Sequence, residues 1–554
     1  MDDPSANLAT IWEGIASQAG DAPAVIHGDR VRTWMDFESR AARLAGALGT
    51  AGVGPGDKVA ICCYNSIEYL ETVFAAFKLR AAPVNVNYRY REAELTYLLE
   101  DSGARAVVFH RVLADRMVPV ARALGRPVAL VAVADGSEAA SGTDDYEELV
   151  AHARPAPPSV RSEDDELIVY TGGTTGRPRG VIWSHGALLG MQRGQLATLL
   201  GMQRGQAAAA EAAELPDSVA DLAQLAGALA RGPRPPTTLA ASPLIHGTGM
   251  FTSLGTLGVG GRVVLCTSRS LDPDEVCRLI EQHRVTTLSM VGDVFGRPIL
   301  AALDRAAAEG RPYDLSTLER ISSVGVTWSA ETKQGLLRHG TFTLVDGVAA
   351  TEGGGFASTQ TRQGDGVATS RFHLGPSARV LDEHDRDVVP GSGQVGVLAA
   401  TGPMPKGYLN DPEKTARTWR VIDGVRYAIP GDMARVEADG TLVLLGRGSE
   451  VVNTGGEKVF VEEVEQAIAA HRGVADVIVV GVPDDRFGQR VAAVVAALPG
   501  VELSGQEIID QVGGLLADHK RPRQVVFVEE VLRSPSGKAN RTWARETVEK
   551  AQVG

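Results

Sequence analysis

Between Thr33 and Val108 the apolar positions switch back and forth between two periods. In FESRAARLAGAL (37–48) and YLETVFAAFKL (69–79) they recur every three to four residues, which places them on one face of a helix. In KVAICC (58–63) and APVNVN (82–87) they run almost unbroken, as in a short buried strand, and GVGPGD (52–57) supplies a turn. The alternation returns in TTLAASPL (237–244), RVVLC (262–266), LDPDEVCRLIEQH (271–283) and TTLSMVG (286–292). Strand and helix in turn imply βαβ crossovers and a parallel sheet, hence an α/β fold.

Two segments depart from this rhythm. An Ala-rich stretch carries a duplication, LLGMQRGQ at 188–195 and again at 199–206. Its eleven-residue step keeps both copies on one helical face. The pattern predicts a helix extension followed by a surface loop at RGPRPPTT, with no chemistry of its own. Beyond GRGSE (446–450) come a helix at VEEVEQAIAAH, strands at VADVIVVGV and RVAAVVAAL, a helix at SGQEIIDQVGGLLADH and a strand at QVVFVEEV. That is an α+β unit of domain size. The expected organisation is a large α/β domain over 1–446 and a small α+β domain over 447–554.

Composition narrows the function. A chain of 554 residues with 44% hydrophobic and 22% charged residues is long enough for several cores and resembles an ordinary globular protein. The opening MDDPSANLATIWEG has neither the basic region nor the apolar run of a secretory signal, and no transmembrane stretch follows. Cys62, Cys63, Cys266 and Cys277 have no metal-ligand spacing, so buried thiols in a reducing cytoplasm are expected. A net charge of −13 argues against a nucleic-acid partner. An anionic ligand would have to be held locally, by backbone N–H groups in glycine-rich turns.

YTGGTTGRPRG (170–180) is such a turn. It lacks the Lys-Ser/Thr ending of a Walker loop, yet its glycines and threonine hydroxyls can wrap a polyphosphate. Behind it, in order, come PLIHGTG (243–249), DGVAATEGG (346–354), GYLNDPEKT (407–415), YAIPGD (427–432), GRGSEVVNTGGEKVFVEEVE (446–465), VGVPDDRFGQ (480–489) and RSPSGK (533–538). Together these stretches resemble the adenylate-forming superfamily of acyl-CoA synthetases, peptide-synthetase adenylation domains and luciferases. Within it they look most like the bacterial, actinobacterial-type fatty-acyl-CoA synthetases, and the likeness spans about 33–545.

The resemblance implies a ligase that uses ATP, Mg²⁺ and CoA in fatty-acid metabolism. A carboxylic acid attacks the α-phosphate of ATP, and a thiol then attacks the acyl-adenylate. Oriented donors and cations would stabilise the charge that builds on the phosphates. The resemblance assigns the triphosphate to Thr171, Gly172, Gly173, Thr174, Thr175, Gly176 and Arg179, the α-phosphate to Thr351, and Mg²⁺ to Glu352 with Thr171. It assigns the nucleotide further contacts at Asp346 and Gly347, its ribose to Asp432, its ribose or phosphate to Arg447, and the cation of the first half-reaction to Lys538, carried on a small domain that it implies is mobile. Gly455 and Gly456 would let a pantetheine arm pass close to the backbone. The acyl pocket would be lined by His246, Gly247, Gly325, Trp328 and Gly353. His246 is expected to act as a wall or gate rather than a base, because a carboxylate is already ionised near neutral pH.

Four features depart from the family pattern. Arg179 stands where lysine is usual, Val348-Ala349 where Tyr-Gly is common, Ser449 where an acid is common, and Val461 where proline is frequent. They keep two rivals in view: adenylation with another acceptor (a carrier protein, an amine) or of a small oxyanion such as nitrite, and a non-catalytic nucleotide sensor. The expected partners are small molecules, with no membrane span, and a homodimer is left open.

Overall fold

The computed structural model describes residues 6–171, 177–203, 215–325, 328–366, 371–447, 451–454, 457–484, 488–516, 518–534 and 537–553. Among these, the strands form three sheets. The first is parallel through Ala82–Asn85, Lys58–Cys62, Ala106–His110 and Ala129–Val133, and Glu166–Thr171 joins it in parallel beside Ala82–Asn85. At that end it turns antiparallel, adding Arg179–Ser184 and then Gly407–Tyr408. The second sheet runs parallel through Pro23–His27, Arg262–Leu265, Thr237–Ala240, Thr287–Met290, Arg320–Val324 and Thr343–Ala350. From Gly354–Thr361 onward it continues as an antiparallel layer.

The helix Ile67–Lys78 is buried along its whole length, although it carries Glu68, Glu71 and Lys78. Buried charge is tolerated only when paired. Lys78 Nζ meets Glu13 at 2.5 Å and Glu38 at 2.6 Å, and Glu71 receives Arg40 and the Tyr146 hydroxyl. The helix's Phe74 and Phe77 meet Trp12, and Phe74 also meets Phe37, in an aromatic cluster. Cys62, Cys63 and Cys277 are buried packing residues, as the sequence led us to expect, whereas Cys266 is only half-buried. Burial pushes their thiols up, Cys62, Cys266 and Cys277 to about 12, so they stay neutral.

The third sheet consists of Glu457–Phe460, Val451–Thr454, Gly488–Ala497, Val474–Asp484 and Gln524–Val528. Helices Val461–Ala469 and Gly505–Leu515 pack on one face through Val464, Ile468, Ile508 and Val512, and Arg541–Val553 packs on the other through Ala544 and Val548. Val461 occupies the first helical position, where proline is favoured but not required. This α+β unit meets the larger body where Arg297 donates to the Ala475 carbonyl at 2.7 Å.

The duplicated LLGMQRGQ begins in one helix, His185–Gln203. The end of its second copy lies outside the described residues.

Candidate active site

Two asparagines, Asn65 and Asn85, join the parallel sheets at the carboxyl ends of their strands. Asn85 accepts the Tyr170 N–H at 2.6 Å and donates to the carbonyls of Tyr170 and Ile245. Asn65 accepts the Leu244 N–H and donates to the Ser242 carbonyl. Open α/β sheets bind ligands outside these strand ends. The asparagines thereby hold the start of the glycine-rich hairpin beside PLIHGTG. Neither was singled out in the sequence; for Asn85, a polar residue inside the apolar run APVNVN was the available signal.

Thr171 ends its strand half-buried and pairs in register with Arg179. Gly172, Gly173, Thr174, Thr175 and Gly176 lie outside the described residues, as do Gly455, Gly456 and Ser449. Tyr170 anchors the hairpin through its hydroxyl to Asp101 at 2.5 Å. Arg179 Nε donates to Asp411 Oδ2 at 2.9 Å, so its charge is already paired by GYLNDPEKT.

Thr351 and Glu352 follow a β-bulge at Val348/Ala349, which turns the strand Thr343–Ala350 into the turn they occupy. The Trp183 indole donates to the Thr351 carbonyl at 3.0 Å and the Trp419 indole to the Glu352 carbonyl at 2.9 Å. The Tyr408 hydroxyl donates to Glu352 Oε1 at 3.0 Å. Gly247, the first residue of a helix, faces this turn: a Cβ on it would sit 3.2 Å from Thr351 Oγ1. A Cβ on Gly353 would come 2.8 Å from Ala428 Cβ.

His246 caps that helix, and its Nε2 is buried without a hydrogen-bond partner. Burial pulls its pKa down to about 4, and the charges of Lys538 and Arg89 push the same way. The lysine sits in a turn closed by Ser534 N–H to its own carbonyl at 2.8 Å. Asp432 and Arg447 are opposite each other on neighbouring strands.

Two assignments change. Asp346, expected at the nucleotide, is buried in an ion pair with Lys333 at 2.9 Å. Burial raises its carboxyl against the pull of that ammonium. Trp328, expected to wall the acyl pocket, is fully buried in the core beneath the second sheet, with the Lys333 ammonium 5.7 Å from its ring. It faces no open cavity. Gly347 pairs with Val324 inside that sheet, whereas Gly325 has φ +98°, a conformation suited to glycine, and open space where a side chain would be.

An imidazole whose buried Nε2 has no partner, beside a glycine that leaves room next to the Thr351 hydroxyl, suits an anion that is activated rather than deprotonated. One hard carboxylate, Glu352, fits Mg²⁺, which takes one or two carboxylates with its remaining positions on phosphates and water. Comparison with known proteins decides the family: residues 12–409 match the AMP-binding enzyme model and 463–538 its C-terminal domain. The chain belongs to the AMP-binding enzymes. The 3-oxocholest-4-en-26-oate–CoA ligase of Rhodococcus rhodochrous is 39% identical, over 98% of this chain and 95% of that one. The medium-chain acyl-CoA ligase Mig of Mycobacterium avium is 38% identical, over 97% and 98%. Among solved AMP-binding structures, the anthranilate CoA ligase AuaEII with anthranoyl-AMP aligns at TM-score 0.80, with 22% identity over 99% and 98% of the chains, a likeness of fold. ATP-bound MatB from Rhodopseudomonas palustris aligns at 0.77, with 25% identity over the whole of both.

Proposed function

We propose that this AMP-binding enzyme activates a bulky apolar carboxylic acid, of the medium- to long-chain or sterol side-chain kind, in the cytoplasm. The coarse activity is that of an AMP-forming acid–CoA ligase, with ATP, Mg²⁺ and CoA. The observation that carries the reading is the turn of Thr351 and Glu352 set against Gly247, where a Cβ would lie 3.2 Å from Thr351 Oγ1, with Glu352 held by the Tyr408 hydroxyl at 3.0 Å. These groups can hold an α-phosphate and an acid carboxylate together, and such positioning supplies most of the acceleration in phosphate chemistry.

Glu352 would hold Mg²⁺, which neutralises phosphate charge when bound. Thr351 would donate its hydroxyl to the α-phosphate, and Lys538 would bridge phosphate and carboxylate. Asp432 and Arg447 would take the ribose. His246, held neutral, would form a wall beside the carboxylate. The small residues expected around the acid, Gly247, Gly325 and Gly353, are compatible with a bulky one. The sterol-acid and medium-chain ligases among the relatives support the same class. Acid-dependent exchange of labelled pyrophosphate into ATP, over fatty, sterol side-chain and aromatic acids, tests the choice. Preference for a small aromatic acid would overturn it.

A further inference from the structure

We infer that Tyr408 sets the cation chemistry of Glu352, as a positioning residue at the centre of a brace formed by GYLNDPEKT. The inference rests on Glu352 being the Mg²⁺ carboxylate. The segment 407–415 touches both halves of the phosphate machinery. Gly407 and Tyr408 pair with Ile182 and Val181, on the strand that leaves the glycine-rich hairpin, and Asp411 holds Arg179 at its start. Toward the other side, the Tyr408 hydroxyl reaches Glu352 Oε1 in a buried hydrogen bond.

The brace is stiff for local reasons. Thr415 Oγ1 accepts the Tyr408 N–H at 2.9 Å and donates to the Asp411 carbonyl at 2.8 Å. A Cβ on Gly407 would lie 2.5 Å from Thr415 Cγ2, so only glycine permits this closure. The Tyr408 ring meets Trp419 edge-on with centroids 4.9 Å apart, and Trp419 holds the Glu352 carbonyl. Backbone and carboxylate of Glu352 are thus fixed by two aromatic rings packed edge to face.

The consequence is chemical. An ionised carboxylate offers about four lone-pair sites on two oxygens. With Tyr408 donating to Oε1, Oε2 is the oxygen favoured for a cation, which makes one-oxygen coordination the favoured mode. Mg²⁺ demands a tight octahedron and accepts single carboxylate oxygens, whereas Ca²⁺ readily takes both. Tyr408 therefore raises affinity for Mg²⁺ and biases the site against Ca²⁺.

The test uses the full chain with Mg²⁺ and Ca²⁺ as probes. Pyrophosphate–ATP exchange is measured against free Mg²⁺ for wild type, Tyr408→Phe and Glu352→Gln. Tyr408→Phe is expected to raise half-saturating Mg²⁺ about tenfold. Inhibition by Ca²⁺ should strengthen, while the KM for the acid and the melting temperature stay put. A lower rate at every Mg²⁺ concentration, with the Mg²⁺ requirement unmoved, would overturn the inference. If Glu352→Gln keeps the wild-type rate and requirement, the reading of Glu352 falls and the inference with it. If Glu352→Gln is inactive while Tyr408→Phe behaves as wild type, the inference alone falls. Trp419→Phe keeps a ring against Tyr408 but removes the donor to the Glu352 carbonyl. It should raise the Mg²⁺ requirement about threefold, which supplies the same test if Tyr408→Phe does not fold.

Discussion

Arg179 ends the hairpin where a lysine is usual, and its partner explains the tolerance. Its guanidinium bonds Asp411, the residue that caps the helix Pro412–Thr418 by accepting the Lys414 N–H at 2.9 Å. The Arg179 and Asp411 side chains are 38% and 31% exposed, and ion pairs in such places are worth little. Charge and reach matter here more than the planar fork. Arg179→Lys should therefore keep pyrophosphate exchange within about tenfold, roughly 1.4 kcal/mol. A loss of a hundredfold would show that the fork itself works on the phosphates. Lys333 is the opposite case, with both it and Asp346 nearly inaccessible. Lys333→Met strands a buried carboxylate and should cost about 3–5 kcal/mol, read as a fall in melting temperature. An unchanged melting temperature would mean that Asp346 finds another partner.

Among the elements, the helix that begins at Gly247 has the most to lose from one carbon. The Cβ of Gly247→Ala, 3.2 Å from Thr351 Oγ1, must push the hydroxyl aside. Adenylation should drop on the order of tenfold with the melting temperature little changed. Wild-type exchange in that variant would remove Thr351 from the reaction. Most elements were legible in the sequence because their periodicity is strong. FESRAARLAGAL, KVAICC and RVVLC are a helix and two strands at nearly their expected limits. The site was legible as ordered motifs, since glycine, threonine and acid positions recur at fixed places in this chemistry. What stayed hidden depends on contacts distant in sequence. Tyr408 lies 56 residues from Glu352, Trp183 lies 168 from Thr351, and Asn85 lies 160 from Ile245. Trp328 misled for the same reason. A tryptophan next to a glycine turn reads as a pocket wall until the strands close over it.

For the molecule as a whole, buried neutral histidines set the acid limit. Burial pulls His185 to about 3, and His110 and His246 to about 4, from 6.5. In that window the unfolded chain binds protons that the folded one does not, so stability is present above pH 6.5 and falls toward pH 4. Each group contributes up to about 1.4 kcal/mol per pH unit. The melting temperature should fall steadily from pH 7 to pH 5. His185→Asn, which keeps an acceptor for the Leu8 N–H now on His185 Nδ1, should flatten the fall, and an equally steep one would contradict this origin.

Between the two bodies Arg297 donates to the Ala475 carbonyl, and Lys538 is the cation proposed to reach the acid and the α-phosphate. The direct measurement is carboxylate-dependent pyrophosphate–ATP exchange by wild type and Lys538→Ala, with the CoA thioester identified by mass. Exchange driven by a bulky apolar acid, a thioester of that acid, and a loss on the order of a hundredfold in Lys538→Ala are the expected result. No exchange with any acid, or full exchange without the lysine, would contradict it.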